Sequence, residues 1–161
     1  MKGFSITIML LFSITICIYS WIKETPIEEN QIIEEGMNEN TNQISGSKLK
    51  IKVGEKTFTA TLSDNPTATA FKALLPLTLN MKELNNNEKY VDLSKNLPTN
   101  AAVPASIQSG DLMMYGSSTL VLFYKGFSTT YSYTKIGKID DVSGLDSVLG
   151  SGSVSVAFEK E

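Results

Sequence analysis

Residues 49–62, LKIKVGEKTFTATL, decide the fold. Leu49, Ile51 and Val53 alternate with Lys50 and Lys52, and Phe58, Ala60 and Leu62 alternate with Thr57, Thr59 and Thr61. A period of two puts one set on a dry face and the other in water, the pattern of a half-buried strand. Gly54-Glu55 between the two runs is a two-residue loop, with Gly where a type II′ turn needs a positive φ. The stretch predicts an antiparallel hairpin.

Following the chain onward, Asn65 suits a helix cap and Pro66 the first helical position. Ala68, Phe71, Leu74 and Leu75 recur at helical spacing, and Pro76 ends the pattern. Short strands are expected over 77–81 and 89–93, around the polar turn Asn85-Asn86-Asn87. Pro98, Asn100 and Pro104 make 97–107 a loop. The near-continuous apolar runs 111–115 and 119–124 predict strands buried on both faces. Phe127, Thr129, Tyr131 and Tyr133 alternate with Ser128, Thr130, Ser132 and Thr134, which predicts another strand. Residues 143–149 suggest one or two helical turns, and Val154, Val156 and Phe158 a closing strand. About eight strands with one or two short helices imply a mainly β fold, a closed antiparallel barrel with helical plugs, because closure removes exposed sheet edges.

N-terminal to the hairpin the composition changes twice. Residues 23–47 carry six Glu against Lys23 alone and are rich in Asn and Gln. Such a segment cannot bury enough apolar surface to offset its ordering entropy, so it is expected to be a disordered acidic tether. Residues 3–22 run without a charge after Lys2. That length matches the roughly 30 Å hydrocarbon core of a bilayer. An uncleaved membrane anchor is the preferred expectation and a cleaved signal peptide the second, with Ser20 before a poor cut site. A buried soluble helix is the bland alternative. Lys2 favours a cytoplasmic N-terminus and an outward-facing domain, opposed by Lys23. Thr15 and Ile16 before Cys17 do not fit a lipidation signal. The domain over 48–161 is thus expected on the extracytoplasmic face, or secreted if the segment is cut. The Lys, Asn and Ile bias and the lack of disulfides fit a Gram-positive bacterium.

Composition excludes much chemistry. The 161 residues include no His, and all 14 basic residues are Lys. The single Cys, Cys17, has no partner for an intrachain disulfide. Common zinc sites and the Ser-His-Asp and Cys-His nucleophile arrangements are therefore out. No guanidinium fork is available to clamp a carboxylate or phosphate. Residues 48–161 hold 12 Lys against 11 acidic residues, too even a balance for nucleic-acid binding. No metal site or cofactor is expected: Asp140-Asp141 lacks the alternating ligands of a calcium loop, and Asp111 after Gly110 reads first as a turn cap.

The segments Ala60-Thr61-Leu62, Asp64-Asn65-Pro66-Thr67-Ala68, Leu74-Leu75-Pro76-Leu77-Thr78-Leu79, Gly110-Asp111-Leu112-Met113-Met114-Tyr115-Gly116 and Tyr131-Ser132-Tyr133-Thr134-Lys135-Ile136-Gly137 resemble, in this order, the bacterial cyclophilin-like fold family. Leu97-Pro98-Thr99-Asn100 and Leu120-Val121-Leu122-Phe123-Tyr124-Lys125 add to the match. The resemblance covers 57–158 and implies an eight-stranded cyclophilin-type barrel capped by helices, in a family of largely unassigned function. It does not imply prolyl isomerase activity, which in true cyclophilins leans on an Arg that this chain lacks. Gln108-Ser109-Gly110-Asp111 resembles a cyclophilin Gln-Gly-Gly-Asp stretch but carries no role across. Lys135 is a point charge on a flexible stem and not a planar fork.

The aromatic residues Tyr115, Tyr124, Phe127, Tyr131 and Tyr133 concentrate in one region of sequence. Ordinary core packing is their default role. The functional alternative is an aromatic groove for a peptide or small apolar ligand, formed by Tyr115, Phe127, Tyr131 and Tyr133, with Gln108 and with Asn100 on a loop over the barrel mouth. The expected function is a membrane-tethered binding module without catalytic residues. The alternative is an enzyme, either a divergent prolyl isomerase or a hydrolase using Asp111.

Overall fold

The structure is a computed structural model that describes residues 46–161. The expected anchor or signal segment and all but Gly46 and Ser47 of the expected tether lie outside the described residues. Among the described residues no helix is long and apolar enough to cross a membrane.

The hairpin forms as its alternation predicts. Strand β1 (Lys48–Val53) pairs with β2 (Lys56–Leu62), with Val53 opposite Lys56 and Gly54 at φ +57°. Ser47 continues the pairing, its carbonyl accepting from the Leu62 N–H at 2.8 Å. Helix α1 (Pro66–Ala73) follows. The Asn65 side chain accepts from the Ala68 N–H at 2.8 Å and donates to the Lys135 carbonyl at 2.8 Å, so one amide caps the helix and ties it to the strand that pairs with β2 on its other side. Strands β3 (Leu77–Leu84), β4 (Glu88–Asp92), β5 (Asp111–Tyr115), β6 (Thr119–Phe123) and β7 (Thr134–Ile139), helix α2 (Leu145–Leu149) and β8 (Val154–Lys160) complete the chain.

Every pairing is antiparallel, and the eight strands close in the order β1-β2-β7-β5-β6-β4-β3-β8. Helix α1 joins β2 to β3 at one end of the barrel, and α2 joins β7 to β8 at the other. Both plug it: Phe71 of α1 meets Phe158 of β8 edge-to-face at 5.6 Å, and Leu145 and Leu149 of α2 are buried in the same core. Inward residues of β5 and β6, among them Leu112, Met114, Leu120 and Leu122, belong to this core. Their outward neighbours Met113, Val121 and Phe123 form a second buried cluster with Ile107 and Tyr133. Two cores, one on each side of the same strands, explain why their sequences run apolar without alternation.

Three expectations are corrected. The alternating run 127–134 is not a strand: Phe127 and Tyr133 each make a single bridge, to Ile107 and Ala102, and β7 starts only at Thr134. Strand β3 continues past Met81 to Leu84, because Glu83 turns inward to meet Lys89 across the pair rather than marking a solvated turn. Tyr124 does not join the other aromatics, since the alternation that turns Phe123 outward carries Tyr124 into the barrel core.

Lys89 has no solvent exposure. Its ammonium pairs with the Glu83 carboxylate and donates to the carbonyls of Gly150 at 2.9 Å and Gly152 at 2.7 Å. The Tyr124 hydroxyl donates to the same Glu83 oxygen at 2.8 Å. Burial together with the bonded Glu83 carboxylate pushes the Tyr124 hydroxyl up to about 12. Burial pushes the Glu83 carboxyl up too, but the hydrogen bonds from Lys89 and Tyr124 outweigh it and hold the group below its ordinary value. This network closes the α2 end of the barrel.

Candidate functional site

Period-two geometry sorts β4 into inward Lys89 and Val91 and outward Glu88, Tyr90 and Asp92. The outward set, with Tyr115 from β5 and Thr119 and Val121 from β6, forms the floor of a groove of about 810 Å³ on the outside of the barrel. Residues Phe127 to Tyr131 and Tyr133 form its wall. That segment is held at both ends: the Ile107 N–H donates to the Phe127 carbonyl at 2.9 Å, and the Ala102 N–H to the Tyr133 carbonyl at 3.0 Å. Between these anchors, residues 128–132 make no backbone–backbone hydrogen bond to any described residue.

The aromatic rings form a connected series. Tyr115 meets Tyr131 edge-on at 6.1 Å and Tyr133 at 5.7 Å, and Phe123 meets Tyr133 at 5.4 Å and Phe127 at 5.7 Å. Phe123 and Tyr133 are buried and rigidify the base, while Tyr115 (47% exposed) and Tyr131 (62% exposed) present their rings to solvent. Exposed aromatics seated on buried ones make a preformed apolar surface with hydroxyl handles.

Two carboxylates face this groove, one toward each end. The Asp92 carboxylate accepts from the Thr119 hydroxyl at 2.6 Å. Glu88 is 7% exposed, and among the described residues no hydrogen bond or ion pair reaches its carboxylate. Burial, then the nearby Glu83 charge, pushes its carboxyl up. Burial, with the charge of Glu88 next, likewise raises the Tyr133 hydroxyl.

The structure thus unites Tyr115, Phe127, Tyr131 and Tyr133, and separates the other two expected residues. Asn100 and Gln108 line a second hollow of about 500 Å³, with Lys135 and Lys138. Tyr133 lines both. The Asn100 N–H donates to the Thr134 hydroxyl at 3.0 Å, and the Gln108 side-chain amide donates to the Ser106 hydroxyl at 2.8 Å. Asp111 caps the turn before β5, accepting from the Gln108 N–H at 2.8 Å, and Lys138 lies 3.9 Å from its carboxylate. Asp140 is engaged by the Thr61 hydroxyl and the Lys48 ammonium, and Asp141 by the Ser143 N–H and hydroxyl. Sequence reasoning missed Glu88, Tyr90 and Asp92. Their signal was the alternation E-K-Y-V-D over 88–92, which puts two acids and a ring on one face.

Residues 51–159 match the sequence profile of the Cyclophilin-like family. No curated protein matches the chain. A hypothetical protein from Archaeoglobus fulgidus, whose structure was determined in solution, is similar in fold: TM-score 0.50 and 19% identity, over 73% of this chain and 96% of that one.

Proposed function

The chain belongs to the cyclophilin-like family, and from that premise we propose that its barrel is a binding module that holds a peptide or small molecule in the outer groove. The observation that carries this is a groove of about 810 Å³ walled by four tyrosines and Phe127. It is built in a chain that has neither His nor Arg. A concave aromatic surface with a few polar groups is the ordinary form of a recognition site. In the same proposal the apolar residues 3–22 tether the module to the membrane with the barrel on the extracytoplasmic side, or act as a signal that is cut to release it. The charge-free length of that segment and the acidic stretch after it support this placement.

The test is to titrate the full chain in detergent against a panel of peptides and metabolites. At least one binder with a Kd below about 1 mM is expected, weakened about tenfold or more by Tyr115→Ala. A panel without any binder counts against the proposal. A proline-peptide isomerisation assay separates the enzymatic alternative. No acceleration is expected, since Gln108 and Tyr115 do not share a hollow. Acceleration abolished by either Tyr115→Ala or Gln108→Ala would restore the enzyme.

A further inference from the structure

We infer that the groove takes an extended peptide carrying a lysine or arginine side chain, whose cationic end meets the Glu88 carboxylate while the peptide runs on toward the Asp92 end, where the exposed rings of Tyr115 and Tyr131 stand. The inference rests on the binding reading above and names the chemistry of its ligand.

Charge complementarity is the first support. The groove lining holds Glu88 and Asp92 and no Lys. Residues 48–161 as a whole carry one more Lys than acids, so an acid-only lining is a local feature and not a reflection of bulk charge. Lys82, opposite Tyr90 in β3, lies on the flank outside the lining. Glu88 is the sharper case. The Glu88 residue is 7% exposed and no described group bonds its carboxylate, so the solvation its oxygens keep is what the groove gives them. A cation arriving from the groove supplies the partner that the protein does not, and a buried charge gains most from a partner that shares its desolvated site. Tyr115 lies in register with Thr119 and Asp92, so its ring and that of Tyr131, 6.1 Å away and exposed, offer the rest of the peptide an apolar surface toward the Asp92 end.

The backbone argues for a peptide. Residues 128–132 form a rim whose N–H and C=O groups bond to no described backbone, the Tyr131 N–H being taken by the Thr129 hydroxyl at 3.1 Å. A peptide backbone laid along such a rim satisfies the groups still open. The floor runs along β4 from Glu88 to Asp92, roughly 13 Å at the rise of a strand. That accommodates four or five extended residues, with one cationic side chain turned down toward the Glu88 end.

The test uses the full chain in detergent and three fluorescein-labelled pentapeptide amides, identical except at the centre: lysine, norleucine or glutamate. Fluorescence anisotropy reads the affinities at several salt concentrations. The lysine peptide is expected to bind about tenfold or more tighter than norleucine, glutamate weakest, and the lysine advantage is expected to shrink with salt. Glu88→Gln is expected to erase the lysine advantage while norleucine still binds. Asp92→Asn, at an exposed position, provides a variant whose folding is not at risk, and a partial loss is expected. Equal binding of lysine and norleucine overturns the charge inference and leaves the aromatic groove standing. A lysine advantage that survives both substitutions overturns the assignment to these carboxylates. Failure of all three peptides to bind overturns the peptide inference, and the broader binding proposal then rests on the metabolite arm of the first panel.

Discussion

The Lys89 ammonium makes its ion pair inside the barrel, and removing one member of such a pair strands the other. Lys89→Met is expected to destabilise the fold by about 3–5 kcal/mol, because Glu83 keeps its charge without its partner. The double variant Lys89→Met/Glu83→Leu is expected to recover most of that loss, and chemical denaturation of both proteins checks the pair. Glu88 behaves oppositely. Its carboxyl is raised on folding by burial and by Glu83. Protonation therefore stabilises the native state, and that contribution is present below the unfolded value of 4.5 and lost as pH rises through the higher folded value. Glu88→Gln is expected to raise the melting temperature at neutral pH, with the gain vanishing as pH falls below 4.5. A gain that is independent of pH would contradict the ionic cause. The pairing of Glu83 and Lys89 could not be read in the sequence, since a lysine and a glutamate six positions apart look the same whether solvated or buried.

At the scale of elements, α1 is the best-signalled part of the chain, and its cap does two jobs. Asn65→Ala removes the bond to the Ala68 N–H and the bond to the Lys135 carbonyl together. It is expected to cost about 1–2 kcal/mol, measured by urea denaturation, against a smaller loss for Asn65→Asp, which keeps the cap and gives up the donor. The hairpin was equally legible, because alternation and the turn glycine agree. The segment 127–134 shows where alternation misleads. Phe127, Thr129 and Tyr133 are indeed more buried than Ser128, Thr130 and Ser132, yet they pack as a strap against the second core and not as a ladder. Period two reports which side chains turn inward and is silent on whether the backbone has a neighbour.

Across the whole molecule, the closed barrel and its two plugs followed from strand count and from the resemblance of ordered segments, and the structure shows both. The site was half legible. Four aromatics fell together as expected, because Tyr115 ends an outward row and the strap brings Phe127, Tyr131 and Tyr133 beside it. Asn100 and Gln108 went elsewhere, since loop 93–110 wraps past β7 and not over the groove. The acids of β4 stayed hidden, because their meaning depends on which strand lies next to β4, and the β4–β6 pairing spans about thirty residues of sequence that no local pattern encodes. Tyr133, meanwhile, stands between two hollows of opposite character, acidic on one side and lysine-bearing on the other. Its ring is a party wall. Shaving it to alanine is expected to open a passage from one chamber to the other.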